Sequence, residues 1–109
     1  MANTFKNKVF DGGNASANSD MIVYTTPSST TTVVIGLTLA NTSTAQITVD
    51  IKLNANGIVF LAKNIPIPAA SSFEYMAGNK IVMETGNSLI LQSDTENSLD
   101  TVASIMEIT

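Results

Sequence analysis

Thr31 to Leu53 read TTVVIGLTLANTSTAQITVDIKL. In the second half of this stretch Ala45, Ile47, Val49, Ile51 and Leu53 alternate without an error with Gln46, Thr48, Asp50 and Lys52. Successive side chains of a strand point to opposite sides, so the pattern predicts a strand with one dry face and one wet face. The first half predicts another strand, with Val33, Ile35, Leu37 and Leu39 on one face and Thr32, Val34, Gly36, Thr38 and Ala40 on the other. Asn41-Thr42-Ser43-Thr44 is turn chemistry, because short polar side chains bond to their own backbone and tolerate tight bends. The two strands are therefore expected to pair as a β-hairpin. Burying Ile47, Val49, Ile51 and Leu53 contributes about 6–12 kcal/mol gross, at about 1.5–3 kcal/mol per side chain.

A chain of 109 residues has the length of a single domain with one core. It contains no Cys and no His, which removes disulfides, thiolate metal sites, Cys nucleophiles and the commonest general base. All five basic residues are Lys, so bidentate Arg recognition of phosphate is absent, and the net charge of −4 argues against nucleic acid as a partner. Only 13% of residues are charged, against about 25% in an ordinary soluble domain. Such a surface suits a subunit covered by neighbours, or a small extracellular β-domain rich in Thr, Ser and Asn. The N-terminus lacks the apolar region of a secretory signal, and no run of 18 apolar residues occurs. The expectation is a chain that neither carries its own export signal nor spans a membrane.

Outside residues 31–53 the chain predicts further short strands. Residues 4–10 place Phe5, Val9 and Phe10 among Lys6 and Lys8, as on a sheet edge guarded by Lys. A turn at Asp11–Asn14 and a small-residue loop to Asp20 follow, so residues 1–20 form a strand and loop able to act as an arm. Met21–Thr25 is a strand stopped by Pro27. Asn56-Gly57 is a hairpin signal, and Ile58–Ala62, apolar on both faces, predicts a fully covered strand. Ile65, Pro66, Ile67 and Pro68 belong at a sheet edge or a crossing between sheets. Strands are expected at 72–76, with Phe73 and Tyr75 inward, and at 80–84, with Ile81 and Met83 inward. Two more are expected at 89–91 and 99–108, the last with a bulge near Val102-Ala103. The fold class is all-β, an antiparallel β-sandwich of jelly-roll or Ig-like type, with about eight short strands and essentially no helix. The expected core is Ile35, Leu37, Ile47, Val49, Ile51, Phe73, Ile81, Leu89 and Leu91.

The candidate chemistry is thin. Asp50, Glu74, Glu84 and Glu107 are polar members of alternating runs and are expected on solvated faces rather than as a catalytic pair. Asp94, Glu96, Asn97 and Asp100 offer oxygens to Ca²⁺ but lack the DxDxDG pattern, so no metal site is assigned. No Ser has a recognisable base, and neither GxSxG nor a phosphate-cradling loop occurs. Tyr24 and Tyr75 read as core. Asn14 and Asn41 head N-glycosylation triplets, which matter only on a secretory route. No catalytic residue, cofactor or metal is expected. Pro27-Ser28-Ser29-Thr30 and Pro68-Ala69-Ala70-Ser71 echo each other as strand entries.

Six segments carry a resemblance: Tyr24–Pro27, Val33–Thr42, Pro68–Ser72, Gly78–Val82, Gly86–Leu89 and Met106–Thr109. Together they resemble a family of small virion structural proteins of tailed bacteriophages, of the kind found in marine cyanophage-type myophages. Ala70 stands where the family often has Gly, and Asn87 where Asp is commoner. The resemblance implies a non-enzymatic building block located in the virion and present in many copies. Its implied partners are itself and other virion proteins such as the major capsid protein. Capsid decoration is the preferred role; a neck, collar, tail or fibre component is the alternative. A ligand- or carbohydrate-binding sandwich using its end loops is the second alternative. The candidate interface residues are Phe5, Val9, Phe10, Ile65, Pro66, Ile67 and Pro68.

Overall fold

The structure, a computed structural model, describes residues 3–10, 16–75 and 80–109. The expected turn at Asp11–Asn14, Met76 of the strand expected at 72–76, and Gly78 and Asn79 lie outside the described residues. Nine strands follow one another: β1 (Asn3–Phe10), β2 (Met21–Thr25), β3 (Thr31–Asn41), β4 (Ile47–Asn54), β5 (Ile58–Ile67), β6 (Ser72–Glu74), β7 (Ile81–Met83), β8 (Ser88–Ser93) and β9 (Leu99–Ile108). They form two antiparallel sheets, and no helix occurs among the described residues. Sheet A has the order β1-β9-β3, with β6 and β7 both paired to the far edge of β3; sheet B has the order β2-β8-β4-β5. β1 packs over β2 at one side, and Tyr75, just after β6, donates its hydroxyl to Leu61 O of β5 at the other. Connections pass repeatedly from sheet to sheet, which is the wrapped order of a jelly roll.

Between the sheets lie Met21, Val34, Leu37, Leu39, Ile47, Val49, Ile51, Ile67, Met83, Leu89, Leu91, Leu99 and Ile105, all buried. The alternation of β4 holds as read: Ile47, Val49 and Ile51 point inward. β8 presents Leu89 and Leu91 to the core, while Ile90 is covered on the outer face.

The expected hairpin between β3 and β4 does not form. β3 pairs with β9, β6 and β7 in sheet A, whereas β4 pairs with β5 and β8 in sheet B. Residues 42–46 are a crossing between sheets, so Ala45 is exposed rather than inward. The crossing is held by Asn41, whose Nδ2 donates to Ala45 O, Ile67 O and Pro68 O and whose Oδ1 accepts from the N–H and hydroxyl of Ser43. Among the described residues, β4 and β5 are the one pair of consecutive strands that hydrogen-bond to each other, and they turn at Asn56-Gly57 as the turn residues predict.

A second correction concerns β3. Val34 pairs with Ile105 and Gly36 with Ser104, which leaves Ile35 as an extra residue facing a single step of β9. This bulge resets the phase: Thr32 and Val34 are buried before it, Leu37 and Leu39 after it, and Ile35 is 39% exposed. The bulge expected at Val102-Ala103 is absent, since β9 alternates regularly from Leu99 to Ile108. The irregularity belongs to its partner. Two further expectations fail for a common reason. Ile58, Val59 and Phe60 are exposed rather than covered, and Phe73 is only partly shielded, because β5 and β6 are sheet edges with no strand beyond them. Ile81 is partly buried against the core.

The echoing turns at Pro27 and Pro68 are alike in structure. Each crosses from sheet B to sheet A, and Ser29 (φ 54°) and Ala70 (φ 55°) occupy the left-handed region at the same step.

Candidate functional site

The buried carboxylate of the interior is Glu107, read from the sequence as a solvated carboxylate and in fact 6% exposed. It sits on the inner face of β9, where Thr4 and Thr32 flank it in register. Its Oε2 accepts the hydroxyl of Tyr24 at 2.5 Å, and its Oε1 meets Lys6 Nζ at 2.8 Å. Tyr24 reaches inward because Val23 is an extra residue between the Ile22–Ile90 and Tyr24–Leu89 pairs, which turns both Val23 and Tyr24 into the core. The single phenolic proton is committed to Glu107, so the Thr32 hydroxyl 2.7 Å away donates to Tyr24 Oη. Lys6, hydrogen-bonded first and Tyr24 second, hold the Glu107 carboxyl below its ordinary range. Burial, reinforced by Glu107, pushes Tyr24 up to about 12. The lowered carboxyl and tethered phenol are ill suited to proton transfer near neutrality. They join β1, β2, β3 and β9, and the grouping is a tie.

Glu74, Asp50 and Asp94 are also engaged. Glu74 accepts Leu37 N–H and the Thr38 hydroxyl, covering the stretch of β3 edge left open between β6 and β7. Asp50 accepts Asn64 N–H across a bulge in β5. Asp94 accepts Thr48 N–H and the Thr95 hydroxyl, and Ser93 and Ser98 close the same loop. No group of three or more potential metal ligands occurs among the described residues. Asn41 is buried with its amide fully engaged, so it does not present a glycan acceptor.

The candidate interface residues divide between two edges. Phe5 (71% exposed) and Val9 (66%) face solvent from β1, while Phe10 packs against the core. At the opposite edge Pro66 and Pro68 are exposed and Ile65 is half-buried. Ile67 is 1% exposed and belongs to the core instead of the surface, because its partner Ile47 carries it inward. The sequence reading missed larger apolar surfaces. Ile58, Val59 and Phe60 stand open near the β4–β5 turn, and Val82, Val102 and Ile35 on the outer face of sheet A. On sheet B, Lys52 binds Asp20 and Gln92, and Phe60 lies within 5.8 Å of its ammonium and 4.5 Å of that of Lys63. An open cleft of about 340 Å³ is lined by Phe5, Lys6, Asn7, Ile35, Ser104 and Ile105.

The chain matches no protein-family model and no curated protein sequence.

Proposed function

We propose that this chain is a non-enzymatic structural protein of a tailed-phage particle, by preference a capsid decoration protein present in many copies. The observation that carries this reading is the placement of its large apolar side chains. Phe5 and Val9 lie open on one edge of the sandwich, and Ile58, Val59 and Phe60 lie open on the other. Exposed edges and apolar side chains of this kind are ready templates for association. Only 13% of the residues are charged, so little else on the surface opposes contact. The resemblance of Tyr24–Pro27, Val33–Thr42 and Met106–Thr109 supplies the phage context.

A protein of this kind acts by geometry. Each copy adds contact area between neighbouring subunits and thereby stabilises the assembly they form. The test is co-sedimentation of the purified chain with isolated capsids and, separately, isolated tails of a tailed phage, followed by negative-stain imaging. Binding to capsids at many sites is the expected result. Binding to tails alone moves the protein to the neck, tail or fibre. A chain that ignores both and is retained on a glycan array is the ligand-binding module instead.

A further inference from the structure

We propose that the outer face of sheet A is a contact surface between two copies of this chain, packed face to face about a two-fold axis. The inference rests on the register of the sheet and stands apart from the phage reading. Phe5 pairs with Met106, Met106 with Val33, and Val33 with Val82. Paired residues of antiparallel strands share a face, and the neighbours Glu107, Val34 and Met83 are buried. These four apolar side chains therefore form one unbroken row on the outside, crossing β1, β9, β3 and β7. Val9 and Val102 form a second apolar pair further along the same face. Between them Asn7, Ser104 and Gly36 make a low central strip, floored by the cleft beside Ile35.

Among the described residues, the outward strand positions of this face carry Asp100 and Glu74, and the exposed Lys80 and Glu84 flank β7 two positions either side of Val82. Lys6 and Lys8 pair with the inward-facing Ile105 and Ala103 and so turn away from it. Sheet B carries Lys52 and Asp50 on its outer face. An axis lying across the strands at Ser104 sets the Phe5–Met106 end of one copy against the Val9–Val102 end of the other. The same operation sends the two Asp100 ends to opposite rims. The central strip of Asn7, Ser104 and Gly36 is uncharged, and a second copy sets the same strip against it.

The area is sufficient. Four strand positions at about 4.8 Å and ten residues at about 3.4 Å give about 650 Å² per copy and about 1,300 Å² in the pair, within the range of specific interfaces. Sheets pack face to face in this manner inside sandwiches.

The test is light scattering coupled to size-exclusion chromatography, with sedimentation equilibrium for the dissociation constant. The unaltered chain is expected to be a dimer. Ser104→Arg places two like charges at the axis and should weaken the dimer at least about tenfold. Val102→Lys does the same from a position that is 42% exposed and carries the test should Ser104→Arg fail to fold. Phe60→Lys, on the opposite sheet, should leave the dimer intact. A chain that stays monomeric at its highest soluble concentration overturns the proposal. So does a dimer that survives both charged variants with unchanged circular dichroism, or one that dissociates with Phe60→Lys.

Discussion

Tyr24 and Glu107, 83 positions apart in the chain, share a 2.5 Å hydrogen bond in the interior of the sandwich. Lys6 binds the other oxygen of the same carboxylate. One side chain on the last strand therefore secures the first strand to its own sheet and the second strand to the opposite sheet. Of the inward-facing residues of β1, Phe10 alone packs against the apolar core. The rest of the strand is held by its backbone ladder with β9 and by this ion pair.

The first prediction concerns pH. The Glu107 carboxyl lies below its ordinary 4.5 in the folded chain. It therefore contributes stability above that value and loses it as pH falls through the folded-state pKa. Tyr24 is raised from 10.0 to about 12, so its neutral form contributes stability below 10.0 that is lost as pH rises toward 12. Glu107→Gln should flatten the acid side of a melting-temperature profile, and Tyr24→Phe the alkaline side. Profiles identical to the parent's would show that the tie carries no linkage.

Removing Lys6 probes the same tie from the surface. Lys6→Met should cost about 1.5–3 kcal/mol, the range of a hydrogen bond to a charged group. Urea denaturation at neutral pH measures it. A cost near zero would mean that Tyr24 alone satisfies the carboxylate.

Substitutions around the β3 bulge should separate neighbouring residues sharply. Leu37→Ala is expected to cost about 2–5 kcal/mol as a core truncation, whereas Ile35→Thr, at a solvent-facing bulge, should cost under about 1 kcal/mol. Regular alternation through residues 33–39 would instead make both substitutions severe. Val49→Asp, which buries an unpaired charge in β4, should prevent folding.

Deletion of residues 1–10 should leave a cooperatively folding chain whose melting temperature is lower by roughly 10–20 °C, since it removes Phe10 packing and the Lys6 ion pair but no other core side chain. A truncated chain that folds but no longer joins its assembly assigns the strand to an interface. One that does not fold assigns it to its own core.

Calcium and chelators should leave thermal stability unchanged. Asp94 already accepts Thr48 N–H and the Thr95 hydroxyl, so its carboxylate is committed to the protein's own donors. A rise of several degrees in millimolar Ca²⁺ would assign a site to Asp94, Glu96 and Asp100.

The strands and their inward faces were legible in the amino-acid sequence wherever a strand was regular, as at Ile47, Val49 and Ile51. Period-two alternation is a local consequence of backbone geometry. The Asn56-Gly57 turn and the edge position of the Pro66 strand were legible for the same reason, because turn type and missing donors are properties of single residues. Pairing was not. Alternation states which side of β3 and β4 faces a core, but two sheets share that core and either assignment buries the same side chains. Only the amide of Asn41, reaching Ile67 O and Pro68 O, commits the chain to cross between them. The bulge at Ile35 depends on the residue count of β9 opposite it, and the exposure of Phe60 on the absence of a strand beyond β5. Glu107 shows the limit most plainly. Between Met106 and Ile108 it reads as a solvated carboxylate, and its partners Tyr24 and Lys6 are brought to it by two other strands and a bulge in β2. A contact between distant residues has no local signature, so the tie that secures β1 exists only once the sheets have closed.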